Sequence, residues 1–107
     1  MGKASRDKGA RGERELAGIL NEMGIDAHRG YVQFKQSDLV GIEGIHPEVK
    51  RVEKLNIHEA MRQAMTEAEK RKDGKPTVFH RKNGGKWLVT MLLEDWVEIY
   101  KKGNIDG

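Results

Sequence analysis

The triplet Glu48-Val49-Lys50 carries residue types suited to chemistry. Side chains two positions apart on a strand share a face, so Glu48 and Lys50 project together while Val49 points into the core. Alone, this pattern is very common and favours a surface ion pair. Asp38 lies ten residues earlier, at the start of a short apolar run, and a turn containing glycine leads back to the Glu48 strand. We therefore expect the carboxylates of Asp38 and Glu48 to be neighbours.

Two neighbouring carboxylates repel each other, which raises their pKa values unless a cation lies between them. Oxygen ligands in a chain without cysteine favour Mg²⁺ or Mn²⁺. A bound metal would acidify a water molecule and polarise a P–O bond, and Lys50 could orient that water or offset phosphate charge. The sequence is thus compatible with phosphodiester hydrolysis.

Glu13 is a third candidate acid. At 100° per residue it lies at the edge of the apolar stripe that includes Leu16 and Leu20, whereas Glu15 and Glu22 are expected on the solvated side. The alternative role for Glu13 is a favourable interaction with the helix dipole, because it lies near the start of the predicted helix.

Apolar spacing and turn signals place these residues on an αβββαββα framework. Asn56 is the expected N-cap of the second helix, and Asn83-Gly84-Gly85 predicts a hairpin. Pro47 predicts an edge strand or a bulge. We predict helices at 9–23, 56–72 and 94–103 and strands at 25–34, 37–42, 45–52, 76–82 and 86–92. The result is one α/β or α+β domain spanning residues 1–107, with a mixed sheet flanked by helices and residues 1–8 flexible.

Composition narrows the class of protein. The chain has 107 residues, 36% hydrophobic and 35% charged, so we expect a thin core and a densely charged surface. The sequence has no run of about 18 apolar residues, so it predicts no membrane span. The basic, glycine-rich N-terminus does not resemble a signal peptide. The absence of cysteine excludes disulfides and favours a cytoplasmic location.

Basic residues flank the acidic middle of the chain. Residues 1–14 hold five basic and two acidic side chains, and residues 70–86 hold seven basic and one acidic. This distribution suits a polyanion at the rim of a carboxylate centre, although it is also typical of a solvated surface. The expected nucleic-acid contacts are Lys8, Arg11, Arg14, Arg29, Lys35, Arg81 and Lys82.

Three segments together resemble the PD-(D/E)xK nuclease superfamily, in particular the small phage and archaeal Holliday junction resolvase-like endonucleases. They are Glu13 within G-A-R-G-E-R-E-L-A, Ser37-Asp38-Leu39-Val40-Gly41, and Glu48-Val49-Lys50-Arg51. The resemblance covers roughly residues 8–92. It departs from the family pattern at Ser37, where the family has proline, and at Pro47 within the strand.

The resemblance implies a restriction-endonuclease-like fold, Mg²⁺-dependent endonuclease activity on branched DNA, and a homodimer. It also implies that Asp38 and Glu48 bind metal, that Lys50 assists the nucleophile and that Glu13 completes the site. Alternatives are another structure-specific or nicking nuclease, a non-catalytic nucleic-acid-binding module, and a small regulatory protein whose charges are all on the surface.

Several other residues have open or structural roles. Gln63 on the second helix either reaches the site or is solvated, and His46 shares a strand face with Glu48. Arg51 points away from Lys50, which favours a structural or dimer-contact role. The following residues lie on apolar stripes and are expected in the core: Met61, Met65, Met91, Trp87 and Trp96.

Overall fold

The computed structural model describes residues 3–31 and 37–105, with side chains described for 10–31 and 37–103. The chain forms an α+β domain whose element order matches the predicted αβββαββα. The elements are α1 (Lys3–Glu22), β1 (His28–Arg29), β2 (Leu39–Val40), β3 (Ile45–Arg51), α2 (Ile57–Arg71), β4 (Lys75–Arg81), β5 (Leu88–Met91) and α3 (Leu93–Ile105). None of the described helices is long and apolar enough to cross a membrane.

The sheet is mixed, as predicted. Strand β3 pairs with β4 in parallel, and β4 pairs with β5 antiparallel through the predicted hairpin, giving the order β3-β4-β5. The expected pairing of β2 with β3 is not what the structure shows, because β2 forms a separate two-stranded ladder with β1. A side chain, that of Asp38, links the β2 segment to β3 instead.

Each face of β3 and β4 is covered by one helix. Leu16 and Ala17 of α1 pack with Leu39 and Phe79 on one face. Ala60 and Ala64 of α2 pack with Val78 on the other face, where Met61 joins them. Small alanine side chains bring the axis of α2 close to the sheet, which matters for the polar residues beside them.

The helix boundaries follow local signals only in part. Asn56 caps α2 as predicted, its Oδ1 accepting from the backbone N–H of Glu59 at 3.1 Å. Helix α1 begins at Lys3 rather than near residue 9, and α3 continues past Gly103 to Ile105. The flexibility expected for residues 1–8 stays a prediction. Strand β1 covers two residues of the predicted 25–34, of which 32–34 lie outside the described residues.

The core assignment is wrong for two of the five residues that were expected there. Trp96 on α3 is 50% exposed and Met65 on α2 is 44% exposed. The remaining three (Met61, Trp87 and Met91) are half-buried. Trp96 is exposed because no described element packs extensively against α3.

Candidate active site

Asp38 is fixed beside β3 by a backbone hydrogen bond. Its Oδ2 accepts from the N–H of Val49 at 2.8 Å, so the carboxylate lies against the strand that carries Glu48 and Lys50. Burial raises the pKa of Asp38, while the Val49 N–H and the charge of Lys50 oppose that rise. Asp38 therefore lies next to the E-x-K strand, as expected. The contact is a hydrogen bond to the Asp38 side chain, not strand pairing.

Glu48 and Lys50 lie on the same face of β3, as strand alternation predicts. Lys50 Nζ is 3.7 Å from Glu48 Oε1, and Glu48 is only 7% exposed. Burial, and then the negative charge of Asp38, raise the pKa of Glu48 to about 7; Lys50 only partly offsets them. A carboxylate whose pKa is raised by burial and by a second carboxylate is typical of functional sites, cation sites among them.

Glu13 approaches this pair from α1. Its Oε1 accepts from Arg29 Nε at 3.1 Å. Burial and the charge of Asp38 raise the pKa of Glu13, and Arg29 opposes the rise. The predicted inward orientation of Glu13 is consistent with this environment, and Arg29 is its partner within the fold.

The donor chemistry fits Mg²⁺ in part. Within the part of the chain that the structure describes, no group of three or more His, Cys, Asp or Glu side chains is arranged to hold a metal ion. The predicted set of Asp38, Glu48 and Glu13 is thus not assembled as one three-ligand group. Asp38 and Glu48 fit as a pair, because Mg²⁺ commonly takes one or two carboxylates and fills its octahedron with water and substrate phosphate.

Helix α2 forms the opposite wall of the site. A cleft of about 150 Å³ is lined by Ser37, Asp38, His46, Glu48, Gln63, Glu67 and Arg71. Gln63, Glu67 and Arg71 follow one another at i, i+4 spacing and form a polar stripe next to the buried alanines of the same helix. The sequence analysis left the role of Gln63 open, counted Arg71 only within the basic segment 70–86, and missed Glu67, although the i, i+4 spacing of the three was a usable signal.

Arg71 is the cation of this wall. Its Nε lies 3.4 Å from Glu67 Oε2, but neither Nε nor Nη1 makes a hydrogen bond, although both atoms are buried. A guanidinium with free donors beside two carboxylates is arranged to receive an anion such as a phosphate oxygen.

Ser37 and His46, which line the cleft, form a polar cluster with Asp73. His46, 2% exposed, donates from Nδ1 to Asp73 Oδ1 at 2.8 Å, and the Ser37 hydroxyl donates to the same carboxylate. His46 Nε2 has no hydrogen-bond partner. The residue after Asp73, Gly74, has a φ of 138°, and a Cβ there would lie 2.5 Å from the Gly44 carbonyl carbon, so the close approach of these two segments favours glycine. The hydrogen bond to Asp73 fixes Ser37, and therefore the start of the segment that carries Asp38.

Glu15 contradicts the expectation that it faces solvent. It accepts from Arg81 Nε at 2.6 Å and from Trp87 Nε1 at 2.9 Å, and Arg51 Nε lies 3.4 Å away. Hydrogen bonds from Arg81 lower the pKa of Glu15 despite partial burial. The sheet covers a wider arc of α1 than the apolar stripe indicates. Arg51 thereby has the structural role favoured for it, whereas Glu22 is exposed as expected.

The predicted nucleic-acid contacts fall into three groups. Arg11, Arg14 and Lys82 are exposed. Arg29 and Arg81 are each bound to a glutamate of α1. Lys35, and the side chain of Lys8, lie outside the described residues. Contact with DNA stays a prediction for all seven.

Comparisons with known proteins give no relative to weigh against this geometry. No protein-family model, curated protein or solved structure matches the chain. The candidate site therefore rests on its own residues: Asp38, Glu48, Glu67 and Arg71 around one small cleft, with Lys50 beside Glu48.

Proposed function

We propose that the protein is a metal-dependent endodeoxyribonuclease that hydrolyses phosphodiester bonds, with branched DNA such as Holliday junctions as its substrate. The observation that carries the proposal is the pairing of half-buried Asp38 with buried Glu48 beside Lys50. Such a group stores unfavourable charge, which a divalent cation would relieve. The proposed fold is restriction-endonuclease-like. The parallel pairing of β4 with β3, the strand that carries Glu48 and Lys50, supports it.

Each residue has a distinct proposed role. Asp38 and Glu48 would hold Mg²⁺ or Mn²⁺, which when bound supplies the charge that acidifies a water molecule and polarises the P–O bond. Lys50 orients the attacking water next to Glu48. Arg71 binds a phosphate oxygen from the α2 side, and Glu13 is a further acid that positions water. Water attacks phosphorus, the bond to the leaving oxygen breaks, and that oxygen takes up a proton.

Exposed cations support DNA as the partner. Arg11 and Arg14 lie on the helix that carries Glu13, and Lys82 lies at the hairpin between β4 and β5. Phosphate contacts of this kind supply affinity that does not depend on sequence and falls as salt rises. The choice of branched DNA, the cytoplasmic location and the homodimer come from the family resemblance and are part of the proposal.

A cleavage assay tests the proposal. Wild type, Lys50→Ala and the matched control Lys54→Ala, an exposed lysine beyond the end of β3, are incubated with end-labelled four-way junction, linear duplex and single-stranded DNA in Mg²⁺ or EDTA. We expect paired, symmetric cuts in the junction alone, lost in EDTA and in Lys50→Ala but retained in Lys54→Ala.

Other outcomes are equally informative. Cleavage of all three substrates with the same dependence on Lys50 would retain the nuclease and replace junction resolution by a less specific activity. Binding of the junction without cleavage in any metal would overturn the proposal in favour of a binding module. The same cleavage by Lys50→Ala and wild type would remove Lys50 from the mechanism.

A further inference from the structure

A second pocket lies at the end of β3, between the start of α2 and the hairpin that joins β4 to β5. Its volume is about 250 Å³, and it shares no lining residue with the cleft that contains Glu48. A volume just below the usual range for drug-sized ligands suits one flat ring system better than a peptide or a lipid chain. We call it the hairpin pocket, and the side chains that line it include Val52, Leu55, His80, Lys82, Lys86 and Leu88.

The inside of the hairpin pocket is mostly apolar. Val52, Leu55 and Leu88 contribute aliphatic side chains, and Leu88 is 57% exposed, so much of its surface is free to contact a ligand. His80 adds an aromatic ring, whose Nε2 lies 2.8 Å from Thr90 Oγ1. Burial lowers the pKa of His80, so the ring is mainly neutral at pH 7. Unpaired nucleobases stack against imidazole rings and apolar side chains of this kind.

The rim of the hairpin pocket is positively charged. Lys82 and Lys86 are exposed on the two sides of the turn, and neither forms an ion pair with a described acid. Glu53 also lines the pocket, but its Oε2 accepts from the backbone N–H of Asn83 at 2.5 Å and is thereby engaged by the hairpin. An apolar interior with two cations at its rim is complementary to a ligand that joins a flat ring to phosphate groups, as a nucleotide does.

The hairpin pocket lies on the same face of the sheet as the cleft. Lys50 pairs with His80 in the β3–β4 ladder, and His80 pairs with Leu88 in the β4–β5 ladder. Residues paired in register share a face, and strand alternation adds Glu48 to that face. Val52 is four residues beyond Glu48, or about 13 Å along an extended backbone. A DNA strand with one phosphate beside Lys50 therefore reaches the hairpin pocket within a few nucleotides.

We propose that the hairpin pocket binds one unpaired nucleobase of the DNA substrate, a few nucleotides from the bond that is cut, while Lys82 and Lys86 contact the phosphates beside that base. The inference rests on the proposed function, in which DNA is the substrate. It gives this chain a reason of its own to prefer branched DNA, because a base that is already unpaired enters a pocket without the cost of leaving the duplex. The pocket acts in binding and takes no part in the chemical step.

The test measures dissociation constants by fluorescence anisotropy in EDTA, so that binding is observed without metal. Three labelled duplexes share one sequence: one is fully paired, one has a single extra deoxyadenosine, and one has an abasic nucleotide in its place. Wild type should bind the duplex with the extra base about tenfold more tightly than the abasic duplex, because the two differ only in the base that stacks. Leu88→Ser should lose this preference. Val89→Ser alters an equally exposed residue on the opposite face of β5 and should keep it.

The rim is tested by combining Lys82→Gln with Lys86→Gln. For the duplex with the extra base, this double variant should reduce the slope of log Kd against log salt by about 2, because two phosphate contacts are lost. Lys101→Gln with Lys102→Gln removes the same charge from exposed positions on α3 and should leave the slope unchanged. Circular dichroism establishes that each variant is folded.

Equal affinity of wild type for the base-bearing and abasic duplexes would overturn the proposal, as would a preference that Leu88→Ser retains. An unchanged salt slope in the Lys82 and Lys86 double variant would overturn the phosphate contacts. Preference for the extra base without Mg²⁺-dependent cleavage of any DNA would refute the nuclease alone. Mg²⁺-dependent cleavage without that preference would refute the hairpin pocket alone.

Discussion

The glutamates on the two faces of strand β3 have pKa values shifted in opposite directions. On the α1 face, Glu15 receives hydrogen bonds from Arg81 and Trp87, and its pKa is lowered. On the α2 face, Glu48 is more deeply buried, has Asp38 for a neighbour, and its pKa is raised to about 7. Burial is the main cause of the raised pKa of Glu48, and the neighbouring acid adds to the rise, whereas the donors around Glu15 outweigh its partial burial.

This difference separates a structural carboxylate from a candidate functional one. The sequence supplies Glu15 with cations from β3 and β4, so its charge holds α1 to the sheet. It supplies Glu48 with one lysine at 3.7 Å and adds a second acid. Proteins that keep such an unfavourable arrangement commonly use it for binding or catalysis.

Glu48→Gln is expected to have the largest effect on activity. Removing one of the two carboxylates proposed to hold the metal should lower the rate of Mg²⁺-dependent cleavage by about 10³-fold, or about 4 kcal/mol, because a bound cation would supply several kcal/mol of charge stabilisation. Glu15→Gln should cut at nearly the wild-type rate at a temperature where it is folded. Rates on labelled junction decide between them, and equal losses in both variants would end the functional distinction between the two faces.

The pH dependence of stability should have opposite signs at the two glutamates. The pKa of Glu48 is raised in the fold, so ionisation removes stability as the pH rises from about 4.5 to about 7, by up to about 3 kcal/mol without metal. The pKa of Glu15 is lowered, so its contribution is present above about 4.5 and is lost as the pH falls through the folded pKa.

Urea unfolding of wild type and both glutamine variants in EDTA across pH 3–8 measures these slopes. The free energy of unfolding of Glu48→Gln should increase relative to that of wild type as the pH rises. That of Glu15→Gln should fall furthest below wild type above pH 5. A parallel displacement of all three curves would show that neither carboxyl titrates as its surroundings indicate.

Glu15→Gln should also destabilise the protein at pH 7. The variant leaves Arg81, Trp87 and Arg51 without a charged acceptor, and hydrogen bonds to charged groups contribute about 2 kcal/mol each when partly buried. Because Glu15 is about one-third exposed, we expect the free energy of unfolding measured in urea to fall by about 2 kcal/mol in total. Glu22→Gln, an exposed acid on the same helix, is the control and should change stability little.

Arg71→Ala should have the smallest effect of the series. The guanidinium is proposed to bind one phosphate oxygen, so its loss should raise the KM for junction about tenfold, or about 1.4 kcal/mol, with a smaller change in kcat. Arg62→Ala removes an exposed arginine from the same helix and should leave both constants unchanged. Equal KM values for the two variants would remove Arg71 from the substrate site.

The local part of this architecture was predictable from sequence. Strand alternation correctly placed Glu48 with Lys50, and the Asn56 cap and the Asn83-Gly84-Gly85 hairpin follow from residue preferences over a few positions. These features depend on neighbours in the chain, so a single sequence contains the information needed.

The missed part depends on contacts between distant residues. Asp73 meets His46 across 27 positions, and Arg81 meets Glu15 across 66 positions. Neither partner carries a local pattern that names the other. The exposure of Trp96 was missed for a related reason: an apolar stripe predicts that a helix face is covered, but not by what.

The open edge of β3 has a consequence for solution behaviour. Val49 and Pro47 are two residues apart, so both backbone nitrogens point to the same side, which is the side that Asp38 occupies. Pro47 has no N–H to offer, the N–H of Ile45 bonds to the Ile42 carbonyl, and Asp38 takes that of Val49. Positions 45, 47 and 49, whose backbone nitrogens face this edge, thus offer no free N–H to a foreign strand. This protects the molecule against edge-to-edge aggregation and amyloid-like growth. The carboxylate proposed to hold a metal also occupies the edge of the sheet, and replacing Asp38 by alanine would remove that carboxylate and free the N–H of Val49 at the same time.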